Sequence, residues 1–161
     1  MEHNSEATRG AISVSREIAA PPATVWELVS DLPRMGEWSP EATGGRWKGG
    51  GTRVFKGARF VGRNRNGWRR WSTLATVVEC TPGKSFVFDV TSGPIKVARW
   101  SYHFEPTERG CTVTESWEDR RSTWFARATS LVTGVSDRAE RNRRNMTITL
   151  DALARAAETA G

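Results

Sequence analysis

The sequence predicts an α+β fold in which a curved, seven-stranded antiparallel sheet wraps around one long C-terminal helix. Stretches in which apolar and polar residues alternate recur between residues 11 and 119, and turn sequences separate them, as in strands joined by hairpins. Helical patterns appear at two places only, directly after the first strand and at the end of the chain. A sheet whose helices are segregated in this way forms an α+β layer pair.

A change of period marks the first strand and the short helix that follows it. Residues 11–18 alternate strictly, and Arg16 is the one polar residue on the otherwise apolar face, which indicates a half-buried strand. Residues 20–31 then space their apolar side chains as a helix does, behind prolines suited to a first helical turn. Pro33 ends this helix, because its ring clashes with the preceding turn, and a second short helix follows it.

The clearest hairpin signal is the pair Asn66-Gly67. This pair is preferred in two-residue type I′ loops, because both positions need a positive φ. Such a loop predicts that Arg65 lies opposite Trp68. It also places Trp71 on the inner face of the sheet and the arginines of the hairpin on the outer face.

The last three strands carry aromatic and apolar side chains on the face predicted to point inward. A four-residue loop before Cys111 sets Tyr102 opposite Glu115 and Trp100 opposite Trp117. Glu115 interrupts this face with a carboxylate. Because burial of an unpaired charge is costly, this carboxylate is expected to be paired or to have a raised pKa.

The C-terminal segment predicts one long helix, loose at its start. Its inward residues follow one side at helical spacing: Leu131, Val135, Ala139, Asn142, Met146, Leu150, Leu153 and Ala157. Asn142 is the polar member of this stripe and is expected to point into whatever space the helix and the sheet enclose.

Composition is that of an ordinary globular domain, with 37% hydrophobic and 26% charged residues in a chain of 161. The net charge of +6 raises the possibility of an anionic partner such as nucleic acid or a membrane surface. The arginines concentrate in residues 63–70 and in residues 137–144, and the second group alternates with acids as on a solvated helix face.

No residue pattern indicates a metal or a cofactor. Cys80 and Cys111 are far apart in the chain, and neither belongs to a metal-binding or redox motif. His103 stands alone in a strand, where it faces outward, and His3 lies in the N-terminal tail. We therefore expect no cofactor and no metal. Both cysteines are expected to be free thiols, as in a reducing compartment.

Residues 1–9 are predicted to be a flexible polar tail, and residues 10–161 a single domain. The N-terminus lacks the apolar core of a secretory signal, and no apolar stretch approaches the roughly 18 residues that cross a bilayer. These features place the protein in the cytoplasm without stable membrane insertion, as a monomer or a homodimer.

Several segments together resemble a known superfamily. The stretch REIAAPPATVWELVSD followed by EWSP is similar to the opening of the START-like, polyketide cyclase/dehydrase and lipid-transport proteins (SRPBCC), which share the helix-grip fold of the birch pollen allergen. The likeness continues through VVECTPGKSFVF, WSYHFEP, CTVTESW and the terminal helix. Order and spacing of these segments carry the resemblance, because none of them is decisive alone.

The resemblance implies a cavity for a small molecule between the sheet and the final helix, and it implies no particular chemistry. The side chains expected to line such a cavity are mostly aromatic: Phe60, Trp71, Phe86, Phe88, Trp100, Tyr102, Glu115, Trp117, Asn142 and Met146. Aromatic walls are typical of small-molecule sites, although inward aromatic rings also fill ordinary cores.

Glu115, Tyr102 and Arg16 are the candidate catalytic residues. In this fold Arg16 lies on the strand next to Glu115, so we expect it, with Tyr102, to satisfy the carboxylate. The three residues then form either a buried salt bridge that closes the sheet, or a polar anchor or general acid for a ligand.

Three functions remain open at this point. The first, favoured over catalysis, is binding or carriage of a lipid-, sterol- or polyketide-like ligand, as the resemblance implies. The second is a polyketide aromatase/cyclase-type enzyme that works without metal in the same cavity. The third is weak nucleic-acid binding through the hairpin Arg63–Arg70, where arginines flank Trp68; no sequence motif supports a specific nucleic acid.

Overall fold

The computed structural model describes residues 11–51 and 53–160. The predicted polar tail of residues 1–9 lies outside the described residues. Within them, the strands are β1 (Ala11–Ile18), β2 (Ala42–Trp47), β3 (Arg59–Asn66), β4 (Arg69–Thr81), β5 (Ser85–Ser92), β6 (Ile95–Pro106) and β7 (Cys111–Asp119). The helices are α1 (Pro22–Ser30), a 3₁₀ helix (Leu32–Glu37), a 3₁₀ turn (Lys48–Gly50), α2 (Thr123–Thr133) and α3 (Arg138–Thr159).

All seven strands form one antiparallel sheet with the order β1-β7-β6-β5-β4-β3-β2. Every pair except β1·β7 is adjacent in the chain, so α1 and the 3₁₀ helix carry the chain from one edge of the sheet to the other. The predicted α+β helix-grip architecture is confirmed, including the two short helices between the first two strands.

The sheet is curved, and register shifts help to bend it. They occur between Ala42 and Gly44, between Val77 and Glu79, and between Val90 and Thr91. Extra residues at such bulges bend a strand and increase its local twist. The curvature lets one face of the sheet surround a helix.

Helix α3 supplies the other half of the core. Met146, Leu150 and Leu153 are fully buried on the side of α3 that faces the sheet, and Ala154 and Ala157 let the helix approach it closely. The predicted stripe is therefore correct from Asn142 onward. Burial of each of the large side chains contributes roughly 1.5–3 kcal/mol. Together these contacts hold the helix against the sheet.

Helix α1 closes one end of this core. Val25 and Val29 are fully buried, and the Trp26 Nε1–H donates a hydrogen bond to the Ser85 carbonyl at 2.8 Å. The ring of Trp26 also meets Phe86 edge to face, with the ring centroids 6.5 Å apart. Apolar space at this end of the sheet is thus filled by α1.

The register of β6 and β7 is as predicted, with Tyr102 opposite Glu115 and Trp100 opposite Trp117. The register of the β3–β4 hairpin differs from the prediction, because Arg65 lies opposite Arg70 and not opposite Trp68. The turn is Gly67-Trp68, with φ of 62° at Gly67, where a type II′ turn needs glycine at its first central position. Because the shift is by two residues, the side chains that remain in β3 and β4 keep their predicted faces, whereas Trp68 lies in the turn.

The C-terminal segment is two helices and not one. Gly134 ends α2 in a left-handed conformation with φ of 71°, and Asp137 begins α3 by accepting a hydrogen bond from the Glu140 backbone N–H. Leu131, predicted to face inward, points into solvent, whereas Val135 is buried as predicted.

Candidate functional site

A cavity of about 390 Å³ lies between the concave face of the sheet and α3. Its volume falls within the range of small-molecule sites, about 300–1,000 Å³. The cavity opens beside α2, where the lining residue Val132 is 55% exposed, and the buried lining residues of β6 and β7 form the deep wall. The cavity exists because α1 fills the space under one end of the sheet and leaves the other end to α2, which carries a single buried residue.

Nine of the ten side chains predicted to contact a ligand line this cavity: Phe60, Trp71, Phe88, Trp100, Tyr102, Glu115, Trp117, Asn142 and Met146. They come from six different elements, and the alternation of each strand aims them at the same space. The aromatic rings give the wall a predominantly apolar character.

Phe86 is the exception, because it does not line the cavity. Its side chain is fully buried between Trp26 of α1 and the ring of Phe88, whose centroid is 5.6 Å away. Alternation placed Phe86 correctly on the inner face. Its position beneath α1 depends on a contact between distant elements, which alternation does not encode.

Glu115 is the principal polar group of the deep wall. The side chain is 2% exposed, and its Oε1 accepts a hydrogen bond of 2.7 Å from the Tyr102 hydroxyl. Its Oε2 is buried and has no hydrogen-bond partner among the described residues. Burial raises the pKa of Glu115 to about 8, and the hydrogen bond from Tyr102 lowers it only in part.

At neutral pH Glu115 is therefore a neutral carboxylic acid. With Oε1 occupied as an acceptor, the proton resides on Oε2, which becomes a donor without a protein acceptor. Tyr102 remains protonated, because burial and the neighbouring carboxyl group raise its pKa. The deep wall thus holds one hydrogen-bond donor without a protein acceptor.

Arg16 does not take part in this arrangement, contrary to the sequence-based expectation. Val14, and not Arg16, lies opposite Glu115 in the β1–β7 pair. The Arg16 guanidinium reaches across the edge of α3 to Asp151 and forms an exposed salt bridge. Alternation correctly placed Arg16 on the face toward α3, but a long side chain at a sheet edge reaches solvent.

The wall formed by α3 is more polar than the wall formed by the sheet. Asn142 is buried, lines the cavity, and its amide has no side-chain hydrogen bond within the described part of the chain. Asn145 and Thr149 also border the cavity, and the Thr149 hydroxyl donates to the Asn145 carbonyl at 2.7 Å. A ligand that contacts Asn142 can therefore exchange hydrogen bonds with its amide.

Ion pairs hold the elements around the opening. Glu41 accepts hydrogen bonds from Arg138 to both carboxylate oxygens at 2.9 Å, which fixes the start of α3. Arg121 binds Asp119 in a bidentate pair and donates to the Thr129 hydroxyl at 3.0 Å. This second contact attaches α2 to the end of β7, since Thr129 lies in the middle of α2.

Sequence reasoning missed the contribution of α2. Phe125, Ala128, Thr129 and Val132 border the cavity at helical spacing. Two signals could have revealed this helix: glycine at position 134 as a helix C-cap, and Asp137 with Glu140 three residues later as an N-terminal capping pair. Treating the segment as one helix hid the second amphipathic face.

No cluster of metal-ligating side chains occurs among residues 11–51 and 53–160. Across the same residues, no helix has both the length and the apolar character required to cross a bilayer. Cys80 and Cys111 are free thiols, and burial raises the pKa of each.

Solved structures with the same fold include proteins of several kinds. The polyketide cyclase-like protein Cgl2372 of Corynebacterium glutamicum is 33% identical, with a TM-score of 0.58 and coverage of 94% of this chain and 93% of that one. A protein of Thermobifida fusca is 25% identical, with a TM-score of 0.60 and coverage of 90% and 91%.

The di-domain aromatase/cyclase StfQ of the steffimycin biosynthetic pathway shares the fold at 16% identity. Its TM-score is 0.73, and the match covers 95% of this chain and 53% of StfQ. No curated protein matches the sequence. Residues 9–158 match the family described as polyketide cyclase / dehydrase and lipid transport. Because this match spans nearly the whole chain, the protein belongs to the polyketide cyclase/dehydrase and lipid-transport family.

Proposed function

We propose that the protein binds and carries a small hydrophobic molecule with a carbonyl or hydroxyl oxygen at its inner end. The observation that carries the proposal is the cavity itself, which is lined by aromatic rings and has one unpartnered carboxyl oxygen, Glu115 Oε2, at its deep wall. A buried polar group without a partner costs roughly 1–3 kcal/mol. A ligand oxygen that accepts from Glu115 recovers part of this cost.

Shape and polarity restrict the ligand class. Flat or elongated apolar bodies suit walls made by Phe60, Phe88, Trp100 and Trp117, because ring faces stack well on such surfaces. Asn142 offers a second polar contact on the wall opposite to the sheet. Polyketide-like, sterol-like and acyl-chain molecules share this combination of an apolar body and a terminal oxygen.

A titration with matched ligand pairs tests this proposal. Tryptophan emission reports binding, because Trp71, Trp100 and Trp117 border the cavity. At pH 6 we expect a polycyclic ketone to bind about tenfold more tightly than the hydrocarbon of the same ring system, the value of one neutral hydrogen bond. This preference should disappear as the pH rises through about 8, when Glu115 loses its proton.

Glu115→Gln is the matched variant, because its amide keeps the shape of the side chain and donates a hydrogen bond at every pH. We expect its preference for the ketone to be independent of pH. Glu105→Gln, an exposed substitution on β6, should behave as the unchanged protein. An unchanged emission with every ligand of a panel of fatty acids, sterols and polycyclic aromatics would refute the proposed binding.

Catalysis in the same cavity is the second candidate, and it is favoured by the burial of Glu115 beside Tyr102, which raises the pKa of its carboxyl group. A neutral carboxylic acid in an apolar site can protonate a ketone oxygen or a departing hydroxyl during cyclisation or dehydration. Tyr102, hydrogen-bonded to it, orients the acid. Arg16 has no part in this reaction, since its guanidinium binds Asp151 outside the cavity.

Incubation with a linear aryl poly-β-ketone separates carrier from enzyme. An enzyme should release a cyclised or dehydrated product, and Glu115→Gln should abolish turnover while it preserves binding. A carrier should return the ketone unchanged. The proposal of catalysis fails if product forms at the same rate in the variant.

A further inference from the structure

A second surface lies beside the cavity, where α2 and the β3–β4 hairpin meet. The outer side of α2 meets the β3–β4 hairpin there: the Asn66 amide donates to the Thr133 carbonyl at 2.8 Å, and the Arg69 side chain lies against Gly134. We call the exposed side chains of α2 and of this hairpin the rim surface. They lie next to residues that line the cavity, such as Val132.

The rim surface exposes large apolar side chains. Trp68 is 80% exposed, Leu131 79%, Trp124 66% and Val132 55%. Among the described residues, only Phe55 and Ile148 are further large hydrophobic side chains that are exposed. Single exposed apolar residues are common, whereas a group of them on adjoining elements marks an interaction site.

The two segments that form the rim surface carry formal charges of one sign. Residues 57–78 and residues 120–136, which contribute the hairpin and α2, contain no aspartate and no glutamate. Arg65, Arg70 and Arg127 are exposed on these segments. The Arg69 guanidinium stacks on the ring of Trp68, 4.5 Å from its centroid. The rim surface therefore combines protruding apolar groups with arginines, and it complements an anionic partner.

We propose that the rim surface docks the protein on an anionic lipid bilayer. Tryptophan is enriched at membrane–water interfaces, where its ring is half in contact with the acyl chains and its N–H with the headgroups. An amphipathic helix with exposed apolar residues and adjacent arginines binds such an interface from one side. Each arginine near anionic headgroups adds to the attraction.

A bilayer fits the rim surface better than a folded protein does. The apolar side chains protrude from two separate elements, with exposed fractions of 55–80%. A fluid interface conforms to each protruding group, whereas a rigid partner requires a matching set of pockets. Docking in this orientation also turns the cavity opening toward the lipid.

Docking itself does not depend on the cavity ligand. Only its consequence rests on the proposed function: an apolar molecule moves between bilayer and cavity beside Val132 and Phe125 without crossing water. The association is peripheral, as expected for a surface that inserts a few side chains and no helix.

Vesicle co-sedimentation tests the docking. The protein is mixed with vesicles of phosphatidylcholine alone, or of phosphatidylcholine with phosphatidylglycerol. We expect it to sediment with the anionic vesicles only, with a blue shift of tryptophan emission and a loss of binding at high salt. Absence of binding to the anionic vesicles at low salt would overturn the proposal.

Two double variants locate the contact without touching the residues that line the cavity. Arg65→Gln with Arg70→Gln should weaken binding about tenfold to thirtyfold, at roughly 1 kcal/mol per arginine near the surface. Trp68→Ser with Leu131→Ser should weaken binding and reduce the blue shift, to which Trp124 still contributes. Matched controls are Arg109→Gln and Phe55→Ser, exposed residues outside the rim surface, and both should bind as the unchanged protein.

The same experiment also identifies a binding partner other than a bilayer. If both double variants sediment with vesicles as the unchanged protein does, the rim surface is not the contact and the proposal is wrong. The membrane assignment is also overturned if the protein ignores anionic vesicles but binds a single-stranded oligonucleotide or an acidic protein at physiological salt. Loss of ligand binding with vesicle binding intact would refute the proposed function and leave docking in place.

Discussion

The deep wall of the cavity and its opening are built in opposite ways. At the deep wall, Trp117, Tyr102 and Glu115 lie on strands that are paired on both sides, are almost completely buried, and face α3 across the core. At the opening, α2 buries only Thr133 and is attached by a few polar contacts, among them the hydrogen bond from Arg121 to Thr129. The deep wall is held by packing in the core, whereas α2 at the opening is held by a few polar contacts.

Because of this difference, the residues that stabilise the fold are not the residues that border the opening of the cavity. Interiors are densely packed, so changes at the deep wall are transmitted to the fold. Segments with few buried apolar contacts open at much lower free energy than the core. If the protein binds a ligand as proposed, the deep wall determines what is bound, and α2 with the β3–β4 hairpin determines how the ligand enters.

The largest difference is expected between two tryptophan substitutions. Trp117→Ala removes a ring that is 3% exposed and should lower the free energy of unfolding by about 3–5 kcal/mol. Trp124→Ala removes a ring on the outer side of α2 and should change it by no more than about 0.5 kcal/mol. Urea unfolding followed by circular dichroism measures both, and losses of similar size would refute the contrast.

Glu115→Gln should stabilise the protein at pH 8 and not at pH 4.5. Because burial raises the pKa of Glu115 to about 8, the folded protein retains a proton that the unfolded chain releases above its ordinary pKa. Stability therefore falls as the pH rises from about 4.5 to about 8, and it levels off above. At about 1.4 kcal/mol per unit of pKa, the gain in the variant reaches a few kcal/mol, up to about 4 kcal/mol.

Urea unfolding of both proteins across this pH range checks the sign. Glu105→Gln, on the exposed face of β6, should follow the unchanged protein at every pH. A loss of stability in Glu115→Gln at pH 8 would mean that the folded protein holds the carboxylate ionised with a cationic partner.

Gly134→Ala should loosen the opening with a moderate loss of stability, about 1–2 kcal/mol. Gly134 has φ of 71°, and an added Cβ would meet the Arg69 side chain at 2.9–3.1 Å. Gly49→Ala is the matched control, because Gly49 also has a positive φ, of 82°, but has open space around it. Limited proteolysis should cut residues 120–137 faster in Gly134→Ala than in Gly49→Ala; equal rates would contradict a role for this contact.

Arg16→Ala should have the smallest effect. The Arg16–Asp151 pair is exposed, and such pairs contribute about 0–1 kcal/mol. The pH dependence that arises from Glu115 should be unchanged in the variant. A loss of roughly 3 kcal/mol or more would instead indicate a buried charge left without its partner, and a double-mutant cycle with Asp151→Ala measures the pair directly.

The amino-acid sequence by itself determined which side chains face inward. Alternation along each strand aimed Phe60, Trp71, Phe88, Trp100 and Trp117 at one space, and it set Glu115 beside Tyr102, because side chains of a strand repeat every two residues. Even the incorrect hairpin register preserved these faces. Helical spacing likewise identified the buried side of α3 from Asn142 to Ala157.

The tertiary structure alone decided what each inward position meets. Phe86 and Phe88 follow the same alternation, yet α1 covers Phe86 and leaves Phe88 at the cavity. Arg16 shares a face with Ile18 but reaches solvent at the edge of α3, so Glu115 keeps an unpartnered oxygen. Local periodicity reports the direction of a side chain, whereas its partner depends on elements distant in the chain, and their packing decides where the cavity remains.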